Sequence, residues 1–104
     1  MNEMSAPLKI LIAEDNPADV RLLLRVLRQA GFEFEHEVVC TEEDYLARLK
    51  PDFGIILSDY EMPQFGGVRA LTLLRERGLE IPFIIISEYV QIDVPYTVSF
   101  CTPK

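Results

Sequence analysis

Short unbroken apolar runs alternate along this chain with stretches whose apolar residues recur at helical spacing. Leu8 to Ala13, Phe53 to Ser58 and Phe83 to Ser87 are too short for ordinary helices and rich in Ile and Leu. Such runs read as strands buried on both faces, as in a parallel sheet. Between the first run and Gly31, residues Val20, Leu23, Leu24 and Leu27 form one stripe, with Arg21, Arg25 and Arg28 outside it. Asn16 suits the N-cap of that helix, Pro17 its first position and Asp19 its first turn, and Gly31 closes it. Glu35 to Cys40 alternates weakly and predicts a second strand toward an edge. Thr41 caps a second helix running through Lys50, whose positive end is favoured by Glu42, Glu43 and Asp44 and which Pro51 stops. Val68 to Arg77 predicts a third helix, closed by Gly78, with Gly66 and Gly67 giving the chain freedom to enter it. Pro82 opens the fourth strand.

The resulting order is β-α-β-α-β-α-β, an α/β doubly wound parallel sheet with helices on both faces. In such sheets, ligands sit at the carboxyl ends of the strands, where strand order reverses. Polar residues stand at those ends: Glu14 and Asp15 after strand one, Asp59 after strand three and Ser87 on strand four. Taken singly, each has a local explanation in helix starts, turns or backbone hydrogen bonding. Together they converge on one sheet edge. Two like charges ~4 Å apart repel by roughly 4 kcal/mol at an effective dielectric of about 20. An oxygen-seeking divalent cation such as Mg2+ relieves that repulsion.

Composition narrows the reading. At 104 residues, with 49% hydrophobic and 26% charged residues, the chain has the size of one domain, taken as residues 1–104. A net charge of −7 argues against nucleic acid or an anionic membrane as direct partners. No apolar run reaches the ~20 residues of a membrane helix, and Met1 to Pro7 does not read as a signal peptide. Cys40 and Cys101 have no metal-ligand spacing, so a reducing, cytoplasmic location is expected. His36 stands alone in a predicted strand and reads as structure.

The segments Ile12-Ala13-Glu14-Asp15-Asn16-Pro17, Leu57-Ser58-Asp59-Tyr60-Glu61-Met62-Pro63-Gln64-Phe65-Gly66-Gly67 and Ile85-Ile86-Ser87 together resemble the receiver domain of bacterial two-component response regulators and hybrid sensor kinases. The resemblance covers residues 8–87. It implies a flavodoxin-like sheet of order 2-1-3-4 and a Mg2+-dependent switch that is not an enzyme in the ordinary sense. A phosphohistidine on a histidine kinase or histidine phosphotransfer protein would supply a phosphoryl group to Asp59. Asp15 would bind Mg2+ directly, Glu14 and the backbone carbonyl of Glu61 would assist, and Asp59 would complete the set. Ser87 would hydrogen-bond the phosphoryl group. Lys104 is the candidate for the family's phosphate-binding lysine, although it follows Pro103 instead of preceding a proline.

Residues 88–104 depart from the family. Glu88 stands where a small residue is usual. If Thr97 to Cys101 is a fifth strand, only Glu88 to Tyr96 connects it, short of the ~10–12 residues a parallel crossover with its helix needs. The expectation is therefore an atypical, truncated end in which the fifth strand is missing, antiparallel or exchanged between chains. An open strand-four edge and uncovered apolar surface then predict a homo-oligomer. The alternative function is a degenerate receiver serving as an interaction module without phosphorylation. A small-ligand binder has less support, because no glycine-rich loop follows strand one. A phosphatase of the aspartyl-phosphate type would want an Asp where Glu61 stands.

Overall fold

A computed structural model describes residues 7–60, 62, 65–87 and 97–101. The elements are β1 (Leu8–Ala13), α1 (Pro17–Gln29), β2 (Phe34–Val39), α2 (Glu42–Arg48), β3 (Ile55–Asp59), α3 (Gly67–Glu76), β4 (Phe83–Ser87) and β5 (Thr97–Cys101). They form one five-stranded sheet of order β2-β1-β3-β4-β5, and every neighbouring pair is parallel. The predicted 2-1-3-4 order is present. Among the described residues, no helix is long and apolar enough to cross a membrane.

The fifth strand corrects the sequence reading. Thr97 to Cys101 pairs in parallel with β4 of its own chain, from Phe83 against Thr97 to Ser87 against Cys101. It is neither missing nor antiparallel, and here it pairs within its own chain. The length argument assumed a helix in the crossover. Without that requirement, the connection need only run back along a five-residue strand, about 17 Å. The intervening residues 88–96 reach about 30 Å when extended. Pairing with β5 also gives the outer backbone groups of β4 partners, so the expected open β4 edge is absent.

The period-2 geometry of strands explains why β1 is apolar throughout. Leu11 and Ala13 enter the core beneath α2 and α3, while Ile10 and Ile12 meet Leu24 of α1 on the opposite face. All four strand residues are fully buried. On the α2–α3 side, Tyr45, Phe53, Phe65, Leu71, Leu74 and Phe83 close the layer. Tyr45 is completely enclosed, and its hydroxyl donates to the Ala70 carbonyl at 2.7 Å, joining α2 to α3. Burial pushes the Tyr45 phenol pKa up from its ordinary value.

The other face has less cover. Among the described helices only α1 lies there, leaving Ile84 and Ile86 half-buried and Leu22, Val26 and Phe32 exposed. On its outward side α1 carries Arg21, Arg25 and Arg28, all exposed, and the Arg28 guanidinium lies 5.6 Å from the centroid of the Phe34 ring. This local basic ridge is hidden by the net charge of −7.

The helix ends follow their expected chemistry. Asn16 caps α1 by accepting from the Ala18 N–H at 2.9 Å, and Thr41 caps α2 by accepting from Asp44 N–H at 3.1 Å. Gly31 and Gly78 end α1 and α3 with φ of 92° and 73°, a conformation that costs side-chain-bearing residues more than glycine.

Candidate metal and phosphoacceptor site

Parallel pairing of β1 with β3 sets Ala13 level with Ser58. The next residue on each strand, Glu14 and Asp59, therefore emerges at the same height, and Asp15 follows as the chain turns toward α1. Glu14, Asp15 and Asp59 each offer a carboxylate oxygen, and those oxygens lie within 4.8 Å of one another. Glu14 and Asp59 are half-buried and Asp15 is exposed. Residues 45 positions apart in sequence thus share one pocket because two apolar strands end together.

Local hydrogen bonds fix the approach. Glu14 N–H donates to the Val39 carbonyl at 3.0 Å, carrying β1's order one residue past the strand. The Glu14 carboxylate accepts from the Asn16 N–H at 3.1 Å, so the turn that starts α1 also orients this acid. On β3, the Ser58 hydroxyl donates to the Asp59 carbonyl at 3.0 Å. The next residue continues the order: Tyr60 N–H donates to Ile86 at 3.1 Å, and the Tyr60 carbonyl accepts from Gly67 N–H at 3.1 Å.

The donor set is three hard carboxylate oxygens. That chemistry fits Mg2+ or Mn2+ and suits softer, thiolate-seeking metals poorly. Ser87 is the last residue of β4, placing its backbone at the same edge, one position beyond Ile86, which pairs with Asp59. Glu61, Glu88 and Lys104 lie outside the described residues. Met62 is half-buried against the main core, as a packing residue would be. His36 is exposed, with its ring 6.1 Å from that of Phe34.

Two features escaped the sequence reading. Half-buried Asp19, in the first turn of α1, joins Glu14 and Asp59 along the wall of an apolar groove of about 480 Å3 between α1 and β3–β4. Its place in the first turn of the helix that follows Glu14 and Asp15 was the available signal. The second is Gly67, which the sequence suggested for backbone freedom. Its φ lies outside the left-handed region, and what it supplies is room: an added Cβ would stand 3.1 Å from the Asp59 carbonyl oxygen. To one side of the site, Arg69 binds both carboxylate oxygens of Glu42, at 3.0 and 3.1 Å, tying α3 to α2. That contact lowers the Glu42 pKa.

Residues 10–99 match the response regulator receiver domain. The chain belongs to that family. A stretch of this receiver is 36% identical over 75 residues to the hybrid signal transduction histidine kinase C of Dictyostelium discoideum, covering 72% of this chain and 6% of the kinase. The family's range therefore extends beyond the bacterial setting suggested by the sequence resemblance. The Mn2+-bound form of response regulator Rcp1 superposes with a TM-score of 0.69 at 26% identity, covering 84% of this chain and 70% of that one. The phosphorylated cyanobacterial phytochrome response regulator RcpA superposes with a TM-score of 0.68 at 25% identity, covering 83% and 69%. The receiver spans only a small part of the kinase's length and about two thirds of each of these two structures.

Proposed function

We propose that this receiver is a cytoplasmic, divalent-cation-dependent phosphoacceptor whose switch residue is Asp59. The observation that carries the reading is the convergence of the Glu14, Asp15 and Asp59 carboxylates within 4.8 Å at the carboxyl ends of β1 and β3. A phosphorylated form of RcpA and a Mn2+-bound form of Rcp1 exist among its structural relatives, and a hybrid histidine kinase among its sequence relatives. These support a divalent cation, which we take to be Mg2+, and a phosphohistidine donor.

In the proposed reaction, an oxygen of the ionised Asp59 carboxylate attacks the phosphorus of a phosphohistidine. The new O–P bond forms as the P–N bond breaks, and the leaving imidazole takes a proton. Water later attacks the acyl phosphate and returns the free carboxylate and inorganic phosphate, so the chain is a reversible phosphoacceptor that promotes its own phosphorylation and dephosphorylation rather than an ordinary enzyme. Glu14, Asp15, Asp59 and the Glu61 carbonyl would hold the cation. When bound, the cation neutralises the oxygens of the transferring group and keeps Asp59 ionised beside its acidic neighbours. Ser87, at the end of the adjacent strand, would hydrogen-bond the phosphoryl group on Asp59. Lys104 follows Cys101 by three residues, a reach of about 10 Å, comparable to the ~10 Å across two strand spacings from β5 to β3. It is the candidate cation for the phosphoryl oxygens.

The test is phosphotransfer from a labelled histidine phosphotransfer protein, with and without Mg2+. Label moving to the wild-type chain and not to Asp59→Asn is expected. Absence of transfer from any phosphohistidine donor, with metal binding intact, would instead favour the non-phosphorylated interaction module.

A further inference from the structure

Gly67 stands where the first turn of α3 meets the end of β3. It is buried, and a Cβ placed on it would lie 3.1 Å from the Asp59 carbonyl oxygen and 3.2 Å from both Cγ1 and Cγ2 of Ile85. Neither neighbour yields easily. Ile85 is fully buried in the close-packed main core. The Asp59 oxygen is backbone, and moving it moves the strand end that bears the phosphoacceptor.

That same oxygen already accepts the hydroxyl of Ser58, itself 1% exposed, at 3.0 Å. The peptide N–H paired with that carbonyl, on Tyr60, donates to Ile86, and the Tyr60 carbonyl accepts from Gly67 N–H, so the residue after Asp59 is held on both sides. Ser58 from the strand and Gly67 from the helix therefore enclose one backbone carbonyl. Its position sets where the Asp59 side chain begins.

We propose that Gly67 and Ser58 are positioning residues that hold the Asp59 backbone so that its carboxylate meets those of Glu14 and Asp15 at cation-binding separation. This deepens the proposed function and rests on it. The argument turns on tolerance. Metal–oxygen distances are useful only within about 0.2 Å, and Mg2+ requires near-ideal geometry. A Cβ at Gly67 forces a shift of a few tenths of an ångström on the carbonyl or on Ile85. The displacement is small for the fold and large for a cation site.

The experiment compares urea-unfolding midpoints of wild type, Gly67→Ala and Ser58→Ala in chelator and across a Mg2+ titration. The rise in midpoint with Mg2+ reports affinity separately from baseline stability. Gly67→Ala is expected to bind Mg2+ about tenfold more weakly, the usual scale for disturbing the support of a metal ligand. Ser58→Ala adds no bulk and keeps the test alive if Gly67→Ala fails to fold. Its expected loss is smaller, at most about fivefold, the full worth of one neutral hydrogen bond. A merely structural role would lower every midpoint and leave the Mg2+-dependent rise unchanged in both variants, which overturns the proposal. If wild type shows no Mg2+-dependent rise, the metal reading and the clamp fall together. A full wild-type rise retained by both variants removes the clamp alone.

Discussion

Replacing Asp59 by Asn should make the metal-free protein more stable. The three carboxylate oxygens lie within 4.8 Å of one another; at that separation and an effective dielectric of about 20, each like-charged pair costs ~3.5 kcal/mol. Asp15 is exposed and the other two are half-buried, so solvent and salt reduce this to about 1–2 kcal/mol for removing one charge. Asn keeps the shape of Asp and deletes the charge. With a urea dependence of about 1.5 kcal/mol/M for a domain of this size, the midpoint in chelator should rise by about 1 M. Mg2+ should reverse the order. At a concentration near 100 times its dissociation constant, the cation stabilises wild type by about 2.7 kcal/mol, and Asp59→Asn, having lost one ligand, should gain much less. The assay is urea unfolding followed by circular dichroism in EDTA and in Mg2+. A lower midpoint for Asp59→Asn in EDTA would refute the electrostatic argument. An equal Mg2+ increment in both proteins would refute Asp59's place in the cation site.

Other consequences are independent of the metal. Tyr45→Phe deletes the 2.7 Å hydrogen bond to Ala70 and should cost about 1 kcal/mol in thermal or urea unfolding. Because burial raises the folded-state pKa of Tyr45, its contribution is complete below the unfolded value near pH ~10 and lost as pH rises further. Wild-type stability should fall more steeply than that of Tyr45→Phe in alkaline titrations, and parallel curves would contradict this. Glu42 has a pKa lowered first by its hydrogen bond to Arg69, so its contribution is present at neutral pH and lost as pH falls through the depressed value. Arg69→Ala should flatten the acid limb of a stability-against-pH curve, and an unchanged limb would count against the pair. Exposed Leu22, Val26 and Phe32 beside the apolar groove predict concentration-dependent association, seen by light scattering and reduced in Val26→Glu. A wild-type chain monomeric at every concentration would contradict it.

Much of this architecture was legible from local pattern. Leu8–Ala13 and Phe83–Ser87 are strands with the expected bounds, because unbroken apolar runs bounded by turn residues leave few alternatives. Asn16, Pro17, Gly31 and Gly78 mark helix ends through chemistry confined to a few neighbouring residues. Glu14, Asp15 and Asp59 were found together because parallel strands of similar length deliver their ends to one edge. The errors arose where the outcome depended on distant parts. β5 was misjudged because a rule about helical crossovers was applied to a connection that needs only length. Gly67 was read as supplying backbone freedom at the entry to the third helix because its true constraint, the Asp59 carbonyl, lies on another element. Arg21, Arg25 and Arg28 were placed outside the buried stripe, as found, but the whole-chain charge hid the local basic ridge they make, and Asp19 was read only as a favourable first-turn acid. β2 begins at Phe34 rather than Glu35, and Phe34 lies under Arg28, a contact the weak alternation of that segment could not announce.

The central claim is that Asp59 accepts a phosphoryl group in a cation site built with Glu14 and Asp15. Intact-mass measurement after incubation with acetyl phosphate and Mg2+, followed by peptide mapping, tests it most directly. The account predicts one added phosphoryl group, located on Asp59, absent in chelator and absent in Asp59→Asn. A modification at another residue, or one at Asp59 that persists unchanged without a divalent cation, would contradict it.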